Sequence, residues 1–402
     1  MVRRGRWPML DGLRGAVVLA IVGYHALRLV LLRDGGRWGD VDTRWWWVGT
    51  ARLGVDVFFV LAGFLVVGSW RSCRAAADGL LAAGAEFAHR RAWRILPPYL
   101  VMLAVVVPLA APRLLHPTGW GDLVQLVSLQ QYLDPSLTAA VNVPLWSLTT
   151  EVHFYLVTPM VAWALGRVGG WPLAVPALGL AIWWAATDAR GDLAAGLLPG
   201  RLDQFLLGAA AGALISRASD GPRPRLVRLL CRPSALPLLV AGLLLIGTYH
   251  GATYQTGTTS LLPYLVHPAA GLLVAGLLVR LARGPEVPLG GHPVLVWFGR
   301  ISFSLYLWHY PILEHGLATL DPTTPDGVTA LAALVLVGTS IAVAAASEAW
   351  VERPAARRKH RRPRAGAAPD SAARRPAHSR RQERSDARSE HGLSRAGQRR
   401  QA

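Results

Sequence analysis

The sequence predicts an all-α polytopic membrane protein, and three observations lead to that prediction. Hydrophobic residues make up 52% of the 402 residues. They are concentrated in runs close to the roughly 20 residues that a helix needs to cross the hydrocarbon core of a bilayer. Basic residues cluster between these runs, as they do in the loops of membrane proteins. The composition therefore excludes a soluble globular protein.

Ten of these runs are predicted to form transmembrane helices. In chain order they are Leu13–Leu32, Leu53–Ser69, Leu96–Ala111, Trp146–Leu165, Trp171–Thr187, Leu198–Ile215, Leu236–Tyr249, Leu262–Leu281, Val294–Leu313 and Val328–Trp350. The run at Leu236–Tyr249 is short for a span, so this helix is expected to be tilted or broken.

The distribution of arginine predicts the orientation in the membrane. With ten spans, most of the arginines that flank the helices fall on the side that also holds both termini. Because basic loops stay in the cytoplasm, both termini are predicted to be cytoplasmic, in the cell membrane. The net charge of +18 follows from this asymmetry and from a basic tail, so membrane lipids are expected partners and nucleic acid is not.

The chain divides into a membrane domain at residues 1–353 and a tail at residues 354–402. The tail is rich in Arg, Ser, Ala and Pro and cannot bury a core, so it is expected to be disordered and cytoplasmic. Its basic run either holds anionic lipid headgroups or only flanks the last span. Cys73 and Cys231 map to cytoplasmic loops, so neither a disulfide nor a metal site is expected.

Arg14 and His25 are ionisable residues within the first predicted helix. Ionisable side chains at membrane depth cost roughly 2.5–3.5 kcal/mol on insertion scales, so they are rare without a function. Their separation of eleven positions brings them within about 20° of one helix face and about 16 Å apart along the axis. The sequence therefore predicts one polar stripe with a cation near the entrance and an imidazole near mid-membrane.

Arg91 and Arg94 lie three residues apart just before the third predicted span, so they share a helix face. Two adjacent guanidinium groups suit a polyphosphate, because arginine makes bidentate contacts with phosphate oxygens. The alternative is the ordinary basic flank of a cytoplasmic boundary. Pro97 and Pro98 follow and are expected to disturb the backbone at the membrane entrance.

The fourth predicted helix begins with a dense polar set in the segment WSLTTEVHFY. Ser147, Glu151 and Tyr155 are spaced four apart and share one face. Glu151 is expected to face the helix bundle and to pair with a cation, with Arg201 or His25 as candidates. Ser147 either belongs to this face or caps the helix.

Three further residues are candidates for acceptor binding or structural support. Asp56 is either a solvated helix end or a partner for Arg52 or His25. Arg201 pairs either with a nearby aspartate or with lipid headgroups. His309 either forms a hydrogen bond to a neighbouring helix or takes part in catalysis.

The ordered motifs together resemble a known family. LDGLRG followed by His25, GVDVFFVLAGF, RRAWRILPPY, WSLTTEVHFY, RLDQFLLG, ISFSLYLWHYP and a closing VERP occur between about residues 10 and 354. They are similar to the membrane-bound acyltransferase family 3, whose members O-acylate sugars. In one departure, Ala62 stands where members usually have serine.

The resemblance implies specific roles. Arg14 and His25 match the family's Arg-x10-His motif, Arg91 and Arg94 its Arg-x-x-Arg motif, and Glu151 its acidic residue after Trp-Ser-Leu. The donor would be a cytoplasmic acyl-CoA, most often acetyl-CoA, with its phosphates on Arg91, Arg94 and Arg14. It is a co-substrate, and no bound cofactor is expected.

His25 would be the general base or the acyl-carrying nucleophile, since the ordinary pKa of histidine, about 6.5, suits proton transfer near neutral pH. Glu151 would orient the imidazole. The acceptor would be a hydroxyl of a carbohydrate, glycolipid or macrolide. A secondary transporter or flippase for a lipid-linked sugar or small anion is the alternative, because buried ionisable residues also mark transport pathways.

Overall fold

Helices make up the regular secondary structure. The computed structural model describes residues 7–33, 50–131, 135–187, 197–217, 223–253, 262–321 and 323–358. No β-strand occurs within these ranges, so the predicted all-α class is confirmed.

The long helices follow the predicted apolar runs, with short helices between some of them. The first seven are α1 (Pro8–Arg33), α2 (Gly54–Ala76), α3 (Leu80–Ala110), α4 (Trp120–Val127), α5 (Pro135–Val141), α6 (Leu145–Arg167) and α7 (Trp171–Thr187). The others are α8 (Leu198–Arg217), α9 (Arg225–Leu230), α10 (Ala235–Thr253), α11 (Leu262–Arg283), α12 (Pro293–Ala318), α13 (Asp326–Ser347) and α14 (Arg353–Arg358).

Each of the ten predicted spans corresponds to a helix, but five helices in the described part of the chain are long and apolar enough to cross a membrane. These candidate spans are Pro8–Leu31, Thr50–Ala76, Leu80–Ala110, Leu265–Arg283 and Asp326–Arg358. Shorter apolar segments lie in α7 and α10. Helices α6, α8 and α12 carry several polar and ionisable residues, which lowers their hydropathy. The protein is a membrane protein by this composition, whereas the count of ten spans stays a prediction.

Helix α3 differs most from its predicted bounds. It begins at Leu80, well before the predicted start at Leu96, and continues through Pro97, Pro98 and Pro108. The apolar pattern identified only the second half, because the first half carries the arginines of the HRRAWR segment. The expected disturbance at the two adjacent prolines does not end the helix. Arg91 and Arg94 therefore lie inside one long helix.

Glycines bring two pairs of helices into close contact. A Cβ atom on Gly15 of α1 would collide with the Leu295 carbonyl of α12, and one on Gly299 would collide with the Asp11 carbonyl. The same arrangement joins α2 to α8, because a Cβ atom on Gly63 would meet the Phe205 carbonyl. Small residues allow such close approach in membrane helices.

The last long helix changes its hydrogen-bonding pattern at its end. Helix α13 continues into a π-helical turn at Glu348–Glu352 and then into α14, which ends at Arg358. Single π-helical turns inside helices frequently occur at functional sites. Helical structure thus extends beyond residue 353, and residues 359–402 of the predicted tail lie outside the described residues.

Candidate active site

A cavity of about 260 Å³ lies among helices α1, α2, α3, α6 and α12. It contains most of the predicted site residues, which come from the three helices α1, α3 and α6. They are Arg14, His25, Arg91, Arg94, Ser147, Glu151 and Tyr155. Ala62, at the position where the resembling family usually has serine, also lines the cavity. Asp56, Arg201 and His309 do not line it.

Arg14 is held by a neighbouring helix. Its Nη2 donates a hydrogen bond to Oγ of Ser302 on α12 at 3.0 Å, and its Nη1 lies 4.0 Å from the Asp11 carboxylate. Ser302 in turn donates to the carbonyl of Gly299 at 2.9 Å. The guanidinium is therefore fixed at the cavity wall by the same α1–α12 contact that the glycines permit.

His25 contacts a second histidine. Its Nδ1 lies 2.9 Å from Nε2 of His309 on α12, and the two ring planes differ by 16°. Nδ1 of His309 lies 2.9 Å from the carbonyl oxygen of Leu305. Tyr310 packs edge-on against His25, with the ring centroids 5.3 Å apart. Of the two predictions for His309, the hydrogen bond to a neighbouring helix is confirmed, and its partner is the candidate catalytic residue.

The three arginines of the HRRAWR segment have different surroundings. Arg90 forms an ion pair with Glu86 at 2.6 Å. Arg91 lies between the rings of Phe87 and Tyr155, at 5.3 and 5.1 Å from their centroids. Among the described residues neither Arg91 nor Arg94 forms an ion pair, and both line the cavity. The cavity therefore holds two guanidinium groups available to an anionic ligand.

Glu151 is held by its own helix. The hydroxyl of Tyr155 donates a short hydrogen bond to its carboxylate, as expected for residues four apart on one face. Glu151 is close enough to Arg14 for an electrostatic interaction. Within the described residues no hydrogen bond joins Glu151 to His25 or Arg201, which were its predicted partners.

Ser147 takes part in a contact with α12. Its Oγ lies 3.1 Å from the hydroxyl of Tyr306 and 3.3 Å from the carbonyl of Pro144. The Tyr306 hydroxyl also donates a short hydrogen bond to the same carbonyl. Ser147 thus helps to close the wall between α6 and α12, in addition to its contact at the beginning of its own helix.

The prediction of a solvated position for Asp56 is wrong. Its side chain is 2% exposed and its Oδ1 accepts hydrogen bonds from Gln204 at 2.6 Å and from Arg201 at 3.3 Å. Nδ1 of His267 lies 2.9 Å from the same oxygen. Asp56 lies in the first turn of α2, where a side chain is often solvated, but α8 and α11 pack over that end of the helix and exclude water.

This second polar group, hereafter the Asp56 cluster, consists of Asp56, Arg201, Gln204 and His267. It lies behind the cavity wall, where the Arg201 guanidinium packs over the ring of Trp146 at 5.9 Å from its centroid. Trp146 lines the cavity. Among the described residues Arg201 therefore forms its ion pair with Asp56, on a neighbouring helix, and not with Asp203 of its own helix.

Some residues that line the cavity or lie next to it were not identified from the sequence as site residues. Arg28 and Arg52 line the cavity. Arg28 lies three residues after His25, so the face argument that selected Arg14 and His25 also applies to it. Glu352, in the closing VERP motif, accepts a short hydrogen bond from Ser304 and interacts electrostatically with Arg14 and Arg94. Its position depends on the π-helical turn, which the apolar pattern does not reveal.

Comparison with known proteins identifies the family. The family model described as Acyltransferase domain (Acyl_transf_3) matches residues 7–347, which include the whole cavity lining. The chain belongs to acyltransferase family 3. The protein is therefore an acyltransferase, as the sequence motifs predicted. No solved structure matches it significantly.

Two curated relatives illustrate the range of the family. The chain is 28% identical to acyltransferase MdmB of Streptomyces mycarofaciens over 407 residues, covering 91% of this chain and 96% of MdmB. It is 25% identical to peptidoglycan O-acetyltransferase OatA of Listeria monocytogenes over 379 residues, covering 86% of this chain. The match spans 55% of OatA, so this chain corresponds to about half of that protein.

Proposed function

We propose that the protein transfers an acyl group, in the first place acetyl, from acyl-CoA to a hydroxyl group of a carbohydrate, glycolipid or macrolide-type acceptor. The proposal is carried by one observation, that His25 and the arginines Arg14, Arg91 and Arg94 line the same cavity. A base and a phosphate-binding surface in one cavity suit a thioester donor that carries phosphates. The family assignment favours this function over the transporter.

The donor would enter from the side of Arg91 and Arg94. CoA carries several phosphate charges, and two arginines without ion-pair partners among the described residues offer bidentate contacts for them. Arg14 lies about 16 Å from His25 along the helix axis. The narrow pantetheine arm of CoA is long enough to cover this distance. The thioester would then reach His25 while the phosphates stay near the arginines.

The arrangement in the membrane follows from the arginine distribution. We propose ten spans with both termini in the cytoplasm, in the cell membrane, because that orientation places most flanking arginines on the cytoplasmic side. Arg14 and Arg94 then lie near the cytoplasmic side, where acyl-CoA is made. Arg28 and Arg52 line the cavity and interact electrostatically with His25, and the acceptor would enter from their side.

His25 would act on the acceptor hydroxyl. As a general base it takes the hydroxyl proton while the oxygen attacks the thioester carbonyl, and the CoA thiolate leaves. As a nucleophile it carries the acyl group first and passes it to the acceptor. Glu151 is the acidic residue among those that line the cavity, and it interacts with Tyr155 and Arg14, so its charge would position Arg14 on the donor side. Both routes use the same imidazole.

The relatives support a hydroxyl acceptor. OatA is a peptidoglycan O-acetyltransferase, and MdmB is an acyltransferase of comparable length to this chain. The Trp-rich segment at residues 45–47, which could contact an acceptor or form an interfacial belt, lies outside the described residues.

The test is acyl transfer from labelled acetyl-CoA in membrane vesicles, with the native chain and the His25→Ala variant at matched expression. Label should reach an acceptor with the native chain and should vanish with the variant. Envelope extracts and candidate metabolites are both supplied as acceptors. Transfer that is unchanged by His25→Ala would contradict the assignment of His25. If neither acetyl-CoA nor longer acyl-CoAs are consumed, the proposed donor is wrong and the transporter becomes the leading alternative.

A further inference from the structure

The hydrogen bonds of His309 define which of its nitrogens carries hydrogen. A carbonyl oxygen only accepts hydrogen bonds, so the nitrogen that lies 2.9 Å from the Leu305 carbonyl, Nδ1, must be the N–H donor. His309 is 0% exposed, and no carboxylate within the described residues pairs with it, which favours the neutral ring. In a neutral imidazole with hydrogen on Nδ1, Nε2 carries a lone pair.

That lone pair points at His25. Nδ1 of His25 lies 2.9 Å from Nε2 of His309, the ring planes are nearly parallel at 16°, and the ring centroids are 5.1 Å apart, so the two nitrogens lie between the rings. Imidazole lone pairs and N–H bonds lie in the ring plane, so the geometry suits a direct N–H···N hydrogen bond. His25 must then carry its hydrogen on Nδ1. Its Nε2, on the other edge of the ring, is left with the lone pair.

We infer that His309 is a positioning residue that fixes His25 as the Nδ1–H tautomer and leaves Nε2 of His25 as the reacting nitrogen. The assignment of the tautomer rests on geometry alone, whereas the statement that Nε2 reacts rests on the proposed function. His25 lines the cavity and His309 does not. The bonded nitrogen therefore faces the wall, and among the described residues no hydrogen bond occupies Nε2.

The helix around His309 is itself fixed. Pro311 has no backbone N–H, so the Leu307 carbonyl lacks its usual helical donor four residues later. The side-chain amide of Asn142, which is buried, donates to that carbonyl at 3.0 Å. The Leu307 carbonyl of α12 is thereby anchored to the segment before α6. Leu305, Leu307 and His309 lie within about one helical turn, so this contact stabilises the position of the histidine pair.

The tautomer matters for both catalytic routes. In the base route the acceptor oxygen forms a bond to the acyl carbon, the carbon–sulfur bond breaks, and Nε2 takes the hydroxyl proton. The proton then passes to the departing thiolate to give CoA thiol. While His25 is charged, its Nδ1–H stays bonded to His309. In the nucleophile route the lone pair on Nε2 attacks the thioester carbon, which again requires hydrogen on Nδ1, and the carbon–sulfur bond breaks to release the CoA thiolate. The acceptor oxygen then bonds to the acyl carbon, the carbon–nitrogen bond to Nε2 breaks, and the hydroxyl proton converts the thiolate to CoA thiol.

The first experiment measures the tautomer directly and needs no activity. The full chain is labelled with ¹⁵N-histidine and reconstituted in lipid bilayers, and the His25 signals are assigned by difference with His25→Gln. Solid-state ¹⁵N NMR should show a protonated Nδ1 and an unprotonated Nε2 for His25 in the native chain. A protonated Nε2 with an unprotonated Nδ1 would overturn the inference, whatever the substrate of the enzyme.

The second experiment separates positioning from packing by two substitutions. His309→Phe fills the space but offers no acceptor, whereas the side-chain oxygen of His309→Gln can stand in for Nε2. With acetyl-CoA as donor, His309→Phe should lower kcat by about 10²-fold, the low end of a general acid–base contribution, with an unchanged KM for the donor. His309→Gln should restore most of the kcat. Tyr310→Phe, which keeps the ring against His25, is the matched control.

The results distinguish the inference from the proposed function. Equal kcat losses in His309→Phe and His309→Gln, with the native tautomer retained in both, would show that His309 only packs. Should the native chain not use acyl-CoA, the proposed function fails, while the NMR comparison of the native chain with His309→Phe still decides the inference. Loss of the single Nδ1–H tautomer in His309→Phe supports the inference, and an unchanged tautomer contradicts it.

Discussion

The cavity and the Asp56 cluster both bury charged groups, but they compensate the charges differently. In the cluster, one carboxylate oxygen of Asp56 faces Arg201, Gln204 and His267 at 2.6 to 3.3 Å. In the cavity, the arginines outnumber the acidic lining residue Glu151. Burying a charge is costly unless a partner compensates it. The protein compensates the charges of the cluster with its own side chains, whereas we propose that an anionic ligand compensates the positive charge of the cavity.

The largest expected effect comes from removing the cationic surface of the cavity. In Arg91→Ala/Arg94→Ala the KM for acetyl-CoA should rise by about 10²- to 10⁴-fold, because two charged hydrogen bonds of roughly 1.5–3 kcal/mol each are lost. The KM for the acceptor should stay nearly constant. Steady-state kinetics in vesicles measure both values.

Arg90→Ala is the matched control for this prediction. Arg90 belongs to the same segment but is paired with Glu86 and does not line the cavity, so its loss should leave the donor KM within about twofold, as expected for a partly exposed ion pair. Equal effects on donor and acceptor in the double variant would contradict the assignment of these arginines to CoA.

The next effect concerns the stability of the Asp56 cluster. Asp56→Ala leaves Arg201 and His267 without their carboxylate, and breaking a buried ion pair on one side costs about 3–5 kcal/mol. The free energy of unfolding in detergent should fall by that order, while the donor KM of the folded fraction stays unchanged. A large rise in donor KM without loss of stability would mean that this cluster belongs to the ligand site.

A smaller effect is expected where helices α2 and α8 touch. A Cβ atom on Gly208 would collide with the Val60 carbonyl, so Gly208→Ala should destabilise the protein by about 1–3 kcal/mol. Gly68→Ala is the control, because a Cβ atom there meets nothing within 4 Å. Thermal unfolding of both variants measures the difference. Similar melting temperatures would show that the helix contact is looser than described.

The smallest effect is expected at the cavity position where this chain departs from its family. Ala62 lines the cavity, and Ala62→Ser adds one hydroxyl with little change in volume. Because the ionisable residues are all present, kcat should change by less than about threefold, within the range of a single weak hydrogen bond. A gain of tenfold or more would show that the family serine takes part in the reaction.

The sequence predicted the polar stripe on α1 correctly because both residues belong to one helix. The cavity contains Arg14 and His25 together, and it also contains Arg91, Arg94 and Glu151. Partners across helices were predicted less well. Asp56 was assigned a solvated position or the partners Arg52 and His25, and Glu151 was assigned Arg201 or His25. The rotation of one helix against another is not encoded in the spacing along either of them.

Local pattern and long-range packing thus determined different parts of this protein. By itself the sequence determined the helical class, the approximate positions of the helices and the residues that share one helix face, because these depend on periodicities within a single segment. Only the tertiary structure decided that His25 pairs with His309, 284 positions away, and Asp56 with Arg201, 145 positions away. Such contacts arise when glycine-lined helices pack closely, and that packing depends on the whole bundle.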